Sequence, residues 1–372
     1  MKKIIDAYGE ALIELGKQRN DIIVLSADSK LTKQFAKEHP NKFIQCGKTE
    51  QNILGIAKGL AMDGKIPFAS TCSAIGKVWD QLREICHNNL NVKIVDAHEK
   101  TTEDIALARI LPNITIIVPT DYYEAKKAAL AAGIMKGPVF LRLGTEKTHT
   151  TNEKTPFTIG RVEIMRAGKD CTIIASGPIL SEALQAAEKL SKQEIECTVL
   201  NCHTIKPIDK HAVITSARLT GCVITAEEHE TGGLGSAVAE ILGQNAPVPI
   251  RMISAGPDTI MRITKAAKDA ALQRCETTCT TIPEEHGKFL YTELQPELYF
   301  RLHGGGIIKS IPGLQKALLE MNNETFSHHR NNQKNDFSNW IKDVFKEPAL
   351  AKQLEKAHTK IGMALTLARW MI

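Results

Sequence analysis

The segment GKTEQNILGIAKGLAMDGKIPFAST, residues 47–71, decides the fold of this chain. Apolar residues recur in it with the period of an amphipathic helix, at Ile53, Ile56, Ala57, Leu60 and Ala61. The helix is predicted to begin at Glu50 and to end before Gly64-Lys65, and residues 66–69 predict the next strand. Glu50 therefore lies in the first turn, where the helix dipole favours a negative charge. On this pattern alone, Glu50 is a helix-dipole glutamate.

The same alternation of helices and short apolar strands extends on both sides of this segment. Helices are predicted at 6–18, 50–62, 76–87, 103–110 and 122–135, and strands at 21–25, 66–69, 92–96, 114–119 and 139–143. Apolar strands that alternate with helices are typical of a parallel sheet covered on both faces. The first part of the chain is therefore predicted to be a doubly wound α/β domain.

A second α/β unit follows residues 144–157, which contain few apolar side chains and predict an interdomain linker. Its strands are predicted at 162–165, 171–175, 196–201, 222–226 and 248–253, and its helices at 179–190, 209–219, 235–242 and 258–275. The turn Gly232-Gly233-Leu234-Gly235 misses the spacing of a dinucleotide motif and favours a close helix start. The adjacent Glu227, Glu228 and His229 are left without an assigned role.

The composition changes after residue 280, since residues 281–372 hold five of the twelve histidines and two of the three tryptophans. A strand is predicted at 289–294 and helices at 313–321, 336–345 and 348–368. The segment FSHHRNNQKNDFSNWIKDVF resembles a small domain of unassigned function that occurs beside other microbial domains. The expected domains are 1–147, 157–278 and, for a mostly helical module, 284–372.

Composition narrows the classes of function. The formal net charge is +5, from 47 basic and 42 acidic residues, and no basic block is present, which argues against nucleic acid as the main partner. The nine cysteines show no C-x-x-C pair and favour reduced thiols in a cytoplasmic protein. No apolar run approaches the length of a membrane span, so neither secretion nor membrane insertion is expected.

Several ordered segments resemble one family. They are TEQNILGIAKGLAMDGKIPFAST, NVKIVDAH, EDIALARILPNITIIVPTD, GPVFLRLG, HTIKPID and TAEEHETGGLGSAVAEIL. Together they resemble the pyrimidine-binding and C-terminal domains of transketolases, over roughly residues 6 to 250. In split transketolases these domains form a separate chain, and the present sequence is similar to that C-terminal section, with an extra C-terminal domain. The resemblance implies a thiamine-diphosphate fold and a role in the pentose phosphate pathway.

The resemblance also implies a set of site residues. Glu50 matches the glutamate that exchanges a proton with the cofactor's pyrimidine ring, and it is expected to be both catalytic and cofactor-binding. Cofactor contacts are further expected from Thr71, Cys72 and Ile75, and substrate contacts from His98 and Arg142. The family's Gly-Asp-Gly motif for the diphosphate and Mg²⁺ has no match here, so a partner chain is expected to hold both. No metal ligand is assigned to this chain.

The sequence departs from the family pattern around the substrate. The family places aromatic residues after Ser70-Thr71, whereas Cys72-Ser73-Ala74-Ile75 stand here. The loop after His98 is about ten residues shorter than the family's glycine-rich loop. Without the resemblance, His98 is interpreted as a capped loop histidine and Arg142 as part of a structural ion pair.

These observations lead to one reading and two alternatives. The first reading is the C-terminal subunit of a split transketolase-like enzyme that moves two-carbon ketol units between sugar phosphates. It requires an N-terminal section as a separate chain, and a homodimer or heterotetramer is expected. A subunit similar to 1-deoxyxylulose-5-phosphate synthase is the first alternative. The second is a non-catalytic assembly or regulatory subunit with a degenerate substrate pocket.

Overall fold

A computed structural model describes residues 3–27, 32–47, 49–71, 75–97, 103–229, 231–280, 294–331 and 333–371. In the first part of the chain the helices are α1 Ile4–Gln18, α2 Lys33–Glu38, α3 Glu50–Met62, α4 Trp79–His87, α5 Asp104–Ile110 and α6 Tyr122–Ile134. The strands are β1 Ile22–Ser26, β2 Phe43–Gln45, β3 Ile66–Thr71, β4 Lys93–Asp96, β5 Thr115–Ile117 and β6 Val139–Arg142. The alternation predicted from the sequence is confirmed, and α2 and β2 are additions to it.

The second α/β part contains six strands and four helices. Its strands are β7 Glu163–Arg166, β8 Cys171–Ala175, β9 Cys197–Asn201, β10 Thr204–Lys206, β11 Val223–Glu227 and β12 Ile250–Ser254. Its helices are α7 Leu180–Ser191, α8 Lys210–Thr220, α9 Leu234–Asn245 and α10 Thr259–Thr280. Strand β10 was not predicted, because its three residues are too few to show an alternating pattern.

The two main sheets are mixed rather than purely parallel. The first has the order β2-β1-β3-β4-β6-β5-β10, and its strands pair in parallel except for β10, which is antiparallel to β5. The second has the order β12-β11-β8-β9-β7, with β7 antiparallel to β9. Strand β10 therefore carries the second α/β part onto the edge of the first sheet.

Apolar stripes bury the helices on both faces of the first sheet. On one face α1 packs against α6, and its apolar residues Ala7, Ala11, Leu12 and Leu15 are all fully buried. On the other face α3 buries Ile53, Leu54 and Ala57 in a second core. Because each buried Leu or Ile contributes about 2 kcal/mol, these two cores hold the sheet between its helical layers.

By internal packing the chain forms two compact units. One contains residues 1–186 and 198–263, so both large sheets belong to it. The other contains residues 187–197 and 264–372. The expected domains 1–147, 157–278 and 284–372 were delimited by sequence pattern rather than by packing, and their boundaries remain predictions.

In its described residues from 294 onward, the C-terminal module has a two-stranded hairpin, five α-helices and the single 3-10 turn Pro296–Leu298. The hairpin is β13 Phe300–Arg301 with β14 Ile307–Ile308, and the α-helices are α11 Ile311–Glu320, α12 Asn323–His329, α13 Asp336–Val344, α14 Pro348–Glu355 and α15 Lys360–Trp370. The mainly helical character is confirmed. Nearly all of the predicted strand 289–294 lies outside the described residues.

The prediction of one helix over residues 348–368 is wrong. The helix ends at Glu355, and α15 begins at Lys360, because Thr359 accepts a hydrogen bond from Gly362 N and acts as an N-cap. The Glu194 carboxylate accepts from the His358 and Thr359 amides at 2.6 and 3.0 Å. A Cβ at Gly362 would lie 1.6 Å from Glu194 Oε2, so glycine permits this contact.

The predicted linker, residues 144–157, packs closely against α6. Asp121, the N-cap of α6, accepts hydrogen bonds from Thr150 N at 2.9 Å and Thr151 N at 2.5 Å, and Thr151 is buried. Lys127 donates to two carbonyl groups of the same segment. Among the described residues, no helix is both long enough and apolar enough to cross a membrane.

Candidate active site

Glu50 opens α3 at the carboxyl end of the first sheet. Its side chain is half-buried, and the preceding Thr49 hydroxyl donates to the Cys46 carbonyl at 3.0 Å, just after β2. Gln51 Nε2 donates to Lys77 O at 3.0 Å, which ties the first turn of α3 to the 3-10 turn Ile75–Val78. Local hydrogen bonds therefore hold Glu50 at the edge where parallel sheets collect ligands.

The other expected cofactor contacts lie near this edge where they are described. Thr71 is the last residue of β3, and Ile75 is buried at the start of the 3-10 turn that Gln51 contacts. Cys72 and His98 lie outside the described residues, as does the side chain of Thr71. A carboxylate at the start of α3, together with a buried isoleucine in the turn that α3 contacts, suits a flat, partly apolar heterocycle with a protonatable nitrogen. The described residues thus fit the pyrimidine end of the cofactor.

Arg142 ends β6 at the same edge of the sheet, where it is opposite Asp96 of β4. Its side chain is only 4% exposed, and Nε donates to Asp104 Oδ2 at 3.1 Å. Nη1 donates to the carboxylate of Glu228. Arg142 is thus part of an ion pair, as its residue-level interpretation predicts. Its role toward a substrate remains a prediction.

The ion pair continues to His229 and Glu227, and we call Asp104, Arg142, Glu227, Glu228 and His229 the Arg142 cluster. His229 Nε2 is hydrogen-bonded to Asp104, and its Nδ1 lies 4.0 Å from Glu227 Oε2. Burial alone would raise the pKa of Asp104, but His229 and Arg142 hold that pKa below its usual value. Burial raises the pKa of Glu227, although amides of α9 and the nearby His229 oppose the shift.

The glycine turn before α9 brings the start of that helix close to Glu227 of the Arg142 cluster. Glu227 accepts from Leu234 N and Gly235 N, both at 2.7 Å, and so caps the start of α9. A Cβ at Gly233 would lie 1.9 Å from Glu227 Oε2, and one at Gly232 would lie 2.5 Å from the Cβ of Ala106. The interpretation that these glycines permit close packing is therefore supported by the contacts around them.

A second buried group joins the two α/β parts, and we call Thr120, Asp121, Glu124 and Asn201 the Glu124 cluster. Glu124 accepts from Thr120 N and from Asn201 Nδ2, each at 2.7 Å. Burial, which is the main cause, raises the pKa of this carboxyl to about 8. No hydrogen-bond partner for Asn201 Oδ1 lies within the described residues. The Glu124 carboxyl is therefore mostly protonated at neutral pH.

Sequence reasoning missed most of these partners. Asp104 and Glu124 lie in the first turns of helices, where an acidic residue is ordinary. The triplet Glu227-Glu228-His229 was a visible signal, because adjacent titratable residues follow a buried strand. Nothing in the sequence shows which arginine they meet, since Arg142 and Glu228 are 86 residues apart.

Two family models match this chain. The transketolase pyrimidine-binding domain matches residues 1–150, and the transketolase C-terminal domain matches residues 160–276. The clusters around Arg142 and Glu124 therefore lie between the two matched domains, within one compact unit. Both matches end before the C-terminal module.

Relatives match across the same region. A putative transketolase C-terminal section of Methanocaldococcus jannaschii is 42% identical over 64% of this chain and 81% of the relative. A 6-deoxy-6-sulfo-D-fructose transketolase subunit of Clostridium sp. is 38% identical over 67% of this chain and 83% of the relative. A solved structure described as a split gene transketolase, inactive beta4 tetramer, superposes with a TM-score of 0.69 at 38% identity, covering 73% of this chain and 98% of that one.

Proposed function

This chain belongs to the transketolase family, and we propose that it serves as the C-terminal half of a split thiamine-diphosphate enzyme that transfers two-carbon ketol units between sugar phosphates. The observation that carries the proposal is the match to one relative described as a transketolase C-terminal section and to another described as a transketolase subunit, over 81% and 83% of their lengths. The position of Glu50 at the first turn of α3 supports it, because a carboxylate there can face a bound pyrimidine.

A separate N-terminal section completes the proposed enzyme. That partner holds the diphosphate and Mg²⁺, and the assembly is a homodimer of this chain or a heterotetramer with the partner. The solved relative described as an inactive beta4 tetramer supports this division, since its β chains associate with one another in an inactive form. We further propose a cytoplasmic location.

The proposed role of Glu50 is proton exchange at N1′ of the pyrimidine. Thiamine diphosphate supplies a stabilised carbanion when it is bound. Glu50 would hold the proton that favours the reactive tautomer of the aminopyrimidine, and Ile75, buried in the 3-10 turn that Gln51 contacts, would add an apolar side chain on the cofactor side. Thr71 and Cys72 complete the proposed contacts on the cofactor side.

The proposed substrate contacts are His98 and Arg142. The guanidinium of Arg142 suits a sugar phosphate because planar N–H donors match oxyanions. Arg142 already contacts two carboxylates, so its phosphate contact requires one of them to yield.

Glu50→Gln tests the proposed function in the complex reconstituted with the N-terminal section. Turnover of a ketose phosphate should fall at least ~100-fold, the scale of losing a general acid–base group. Asp80→Asn is the matched control, because Asp80 is an exposed first-turn carboxylate of α4. Each change removes a helix-dipole interaction of about 0.5 kcal/mol, but the control should retain turnover.

The two outcomes separate an enzyme from an assembly subunit. If the complex binds cofactor, shows no turnover with any ketose phosphate and is unaffected by Glu50→Gln, the enzymatic proposal is wrong. The chain is then a non-catalytic assembly or regulatory subunit. If the complex instead uses pyruvate and glyceraldehyde phosphate, the synthase-like alternative holds.

A further inference from the structure

The two carboxylates that contact Arg142 differ in their exposure. Asp104 is completely buried, whereas the side chain of Glu228 is 22% exposed. The guanidinium between them is only 4% exposed. Arg142 thus has an inner partner that solvent cannot reach and an outer partner at the surface of the cluster.

The inner partner is fixed by further hydrogen bonds. Asp104 Oδ1 accepts from Ile105 N at 2.8 Å and contacts His229 Nε2, while Oδ2 accepts from Arg142. Removal of this carboxylate would take a hydrogen-bond partner from both Arg142 and His229. Asp104 therefore positions the guanidinium from its buried side and cannot exchange with a ligand.

The outer partner sits among like charges. The pKa of the Glu146 carboxyl is raised, mainly by its partial burial and further by the negative charges of Glu228 and Glu182. Glu228 therefore has the like charge of Glu146 on one side and the guanidinium of Arg142 on the other. A competing anion that reaches Arg142 from solvent meets Glu228 before it meets Asp104.

We propose that Glu228 is an exchangeable carboxylate, which occupies the solvent-facing side of Arg142 until the phosphate of a substrate displaces it. This inference rests on the proposed function, because it assumes a phosphorylated substrate. Glu228 is then a specificity-determining residue contributed by the C-terminal domain. It lowers the affinity for phosphate, and it supplies a second carboxylate to Arg142, beside Asp104, when the site is empty.

The first test titrates the full chain with inorganic phosphate at constant ionic strength and follows the melting temperature. Glu228→Gln should bind phosphate at least about tenfold more tightly than the wild type, which corresponds to ~1.4 kcal/mol. The double variant Glu228→Gln with Arg142→Met should lose this gain. Glu146→Gln is the matched control, since it removes a neighbouring charge without releasing Arg142, and it should stay within about twofold of the wild type.

The proposal is overturned if Glu228→Gln and the wild type bind phosphate equally, or if neither binds it. An equal gain in Glu146→Gln would also overturn it, because general charge would then be the cause. Should Glu228→Gln fail to fold, Glu228→Asp retains the charge but withdraws it by one methylene. This variant should still bind phosphate more tightly than the wild type.

The second test uses the reconstituted complex. Glu228→Gln should lower the KM for a ketose phosphate about tenfold and leave the KM for the same ketose without phosphate unchanged. An equal change for both ketoses contradicts the proposal. A complex without any turnover refutes the proposed function, whereas the phosphate titration of the full chain still decides the role of Glu228.

Discussion

The Arg142 cluster and the Glu124 cluster both bury carboxylates between the two transketolase domains, but they balance charge differently. In the first, Arg142 lies between Asp104 and Glu228, and the pKa of Asp104 falls below its usual value. In the second, Glu124 has amide donors as its hydrogen-bond partners, and burial raises its pKa to about 8. The two carboxylates have nearly equal burial and opposite pKa shifts.

This difference shows that burial alone does not decide the protonation of a buried acid. A cation within hydrogen-bond distance offsets the desolvation of Asp104, so the ion pair persists through the physiological pH range. For Glu124, the two amide donors offset less of the desolvation cost, so its carboxyl takes up a proton instead. One seam between two domains therefore contains a permanent ion pair and a titrating contact.

The largest expected effect comes from Arg142→Met, which leaves Asp104 and Glu228 without their cation. The free energy of unfolding should fall by about 3–5 kcal/mol, as when one partner of a buried ion pair is removed. Urea unfolding of the full chain at pH 7 measures it. Arg19→Met is the control, because Arg19 and Asp21 form a pair with side chains about one-third exposed. The control should change stability by less than ~1 kcal/mol.

Equal losses in Arg142→Met and Arg19→Met would contradict the distinction between buried and exposed pairs. A loss below ~1 kcal/mol for Arg142→Met would show that water reaches the cluster and solvates its carboxylates.

Glu124→Gln should change how stability depends on pH. The folded-state pKa of about 8 lies above the ordinary value of 4.5, so the folded state binds the extra proton. The stabilisation is complete below pH 4.5 and is lost as the pH rises through 8. Between pH 5 and 8 the wild type should lose about 3 kcal/mol relative to Glu124→Gln.

Urea unfolding of both proteins at pH 5, 6, 7 and 8 measures that difference, and other titrating groups cancel in the comparison. Parallel stability curves would mean that Glu124 is ionised throughout and that the seam contains no titrating contact.

The smallest expected effect is at Arg109, which also joins the two domains. Arg109 Nη2 lies 2.7 Å from Glu240, whose side chain is 63% exposed. Glu240→Gln should therefore lower the free energy of unfolding by less than ~1 kcal/mol, and 0.5 M salt should abolish the change. A loss comparable to that of Arg142→Met would contradict the role of burial in this comparison.

The sequence predicts the repeated elements of this fold well, because alternation and helical period are local signals. Every predicted strand and helix of the two α/β parts has a counterpart in the structure. Strand β10 and the break at Thr359 were missed, since each depends on a distant partner, β5 in one case and Glu194 in the other. Contacts between residues far apart in the sequence produce no periodic pattern of apolar residues from which they could be predicted.

The candidate site is less predictable for the same reason. Glu50 carries a family motif, and its place at the start of α3 follows from local pattern. The partners of Arg142 come from α5 and from the end of β11, which only the folded sheets bring together. The expectations for Cys72 and His98 fall on residues outside the described part of the chain.

The central claim is that this chain is one half of a thiamine-diphosphate site, and cofactor calorimetry with Mg²⁺ tests it most directly. The chain alone should bind thiamine diphosphate negligibly, because it supplies only the pyrimidine side. An equimolar mixture with a chain that carries the Gly-Asp-Gly motif should bind one cofactor per pair of chains. Tight binding to this chain alone, or none to the mixture, would contradict the account.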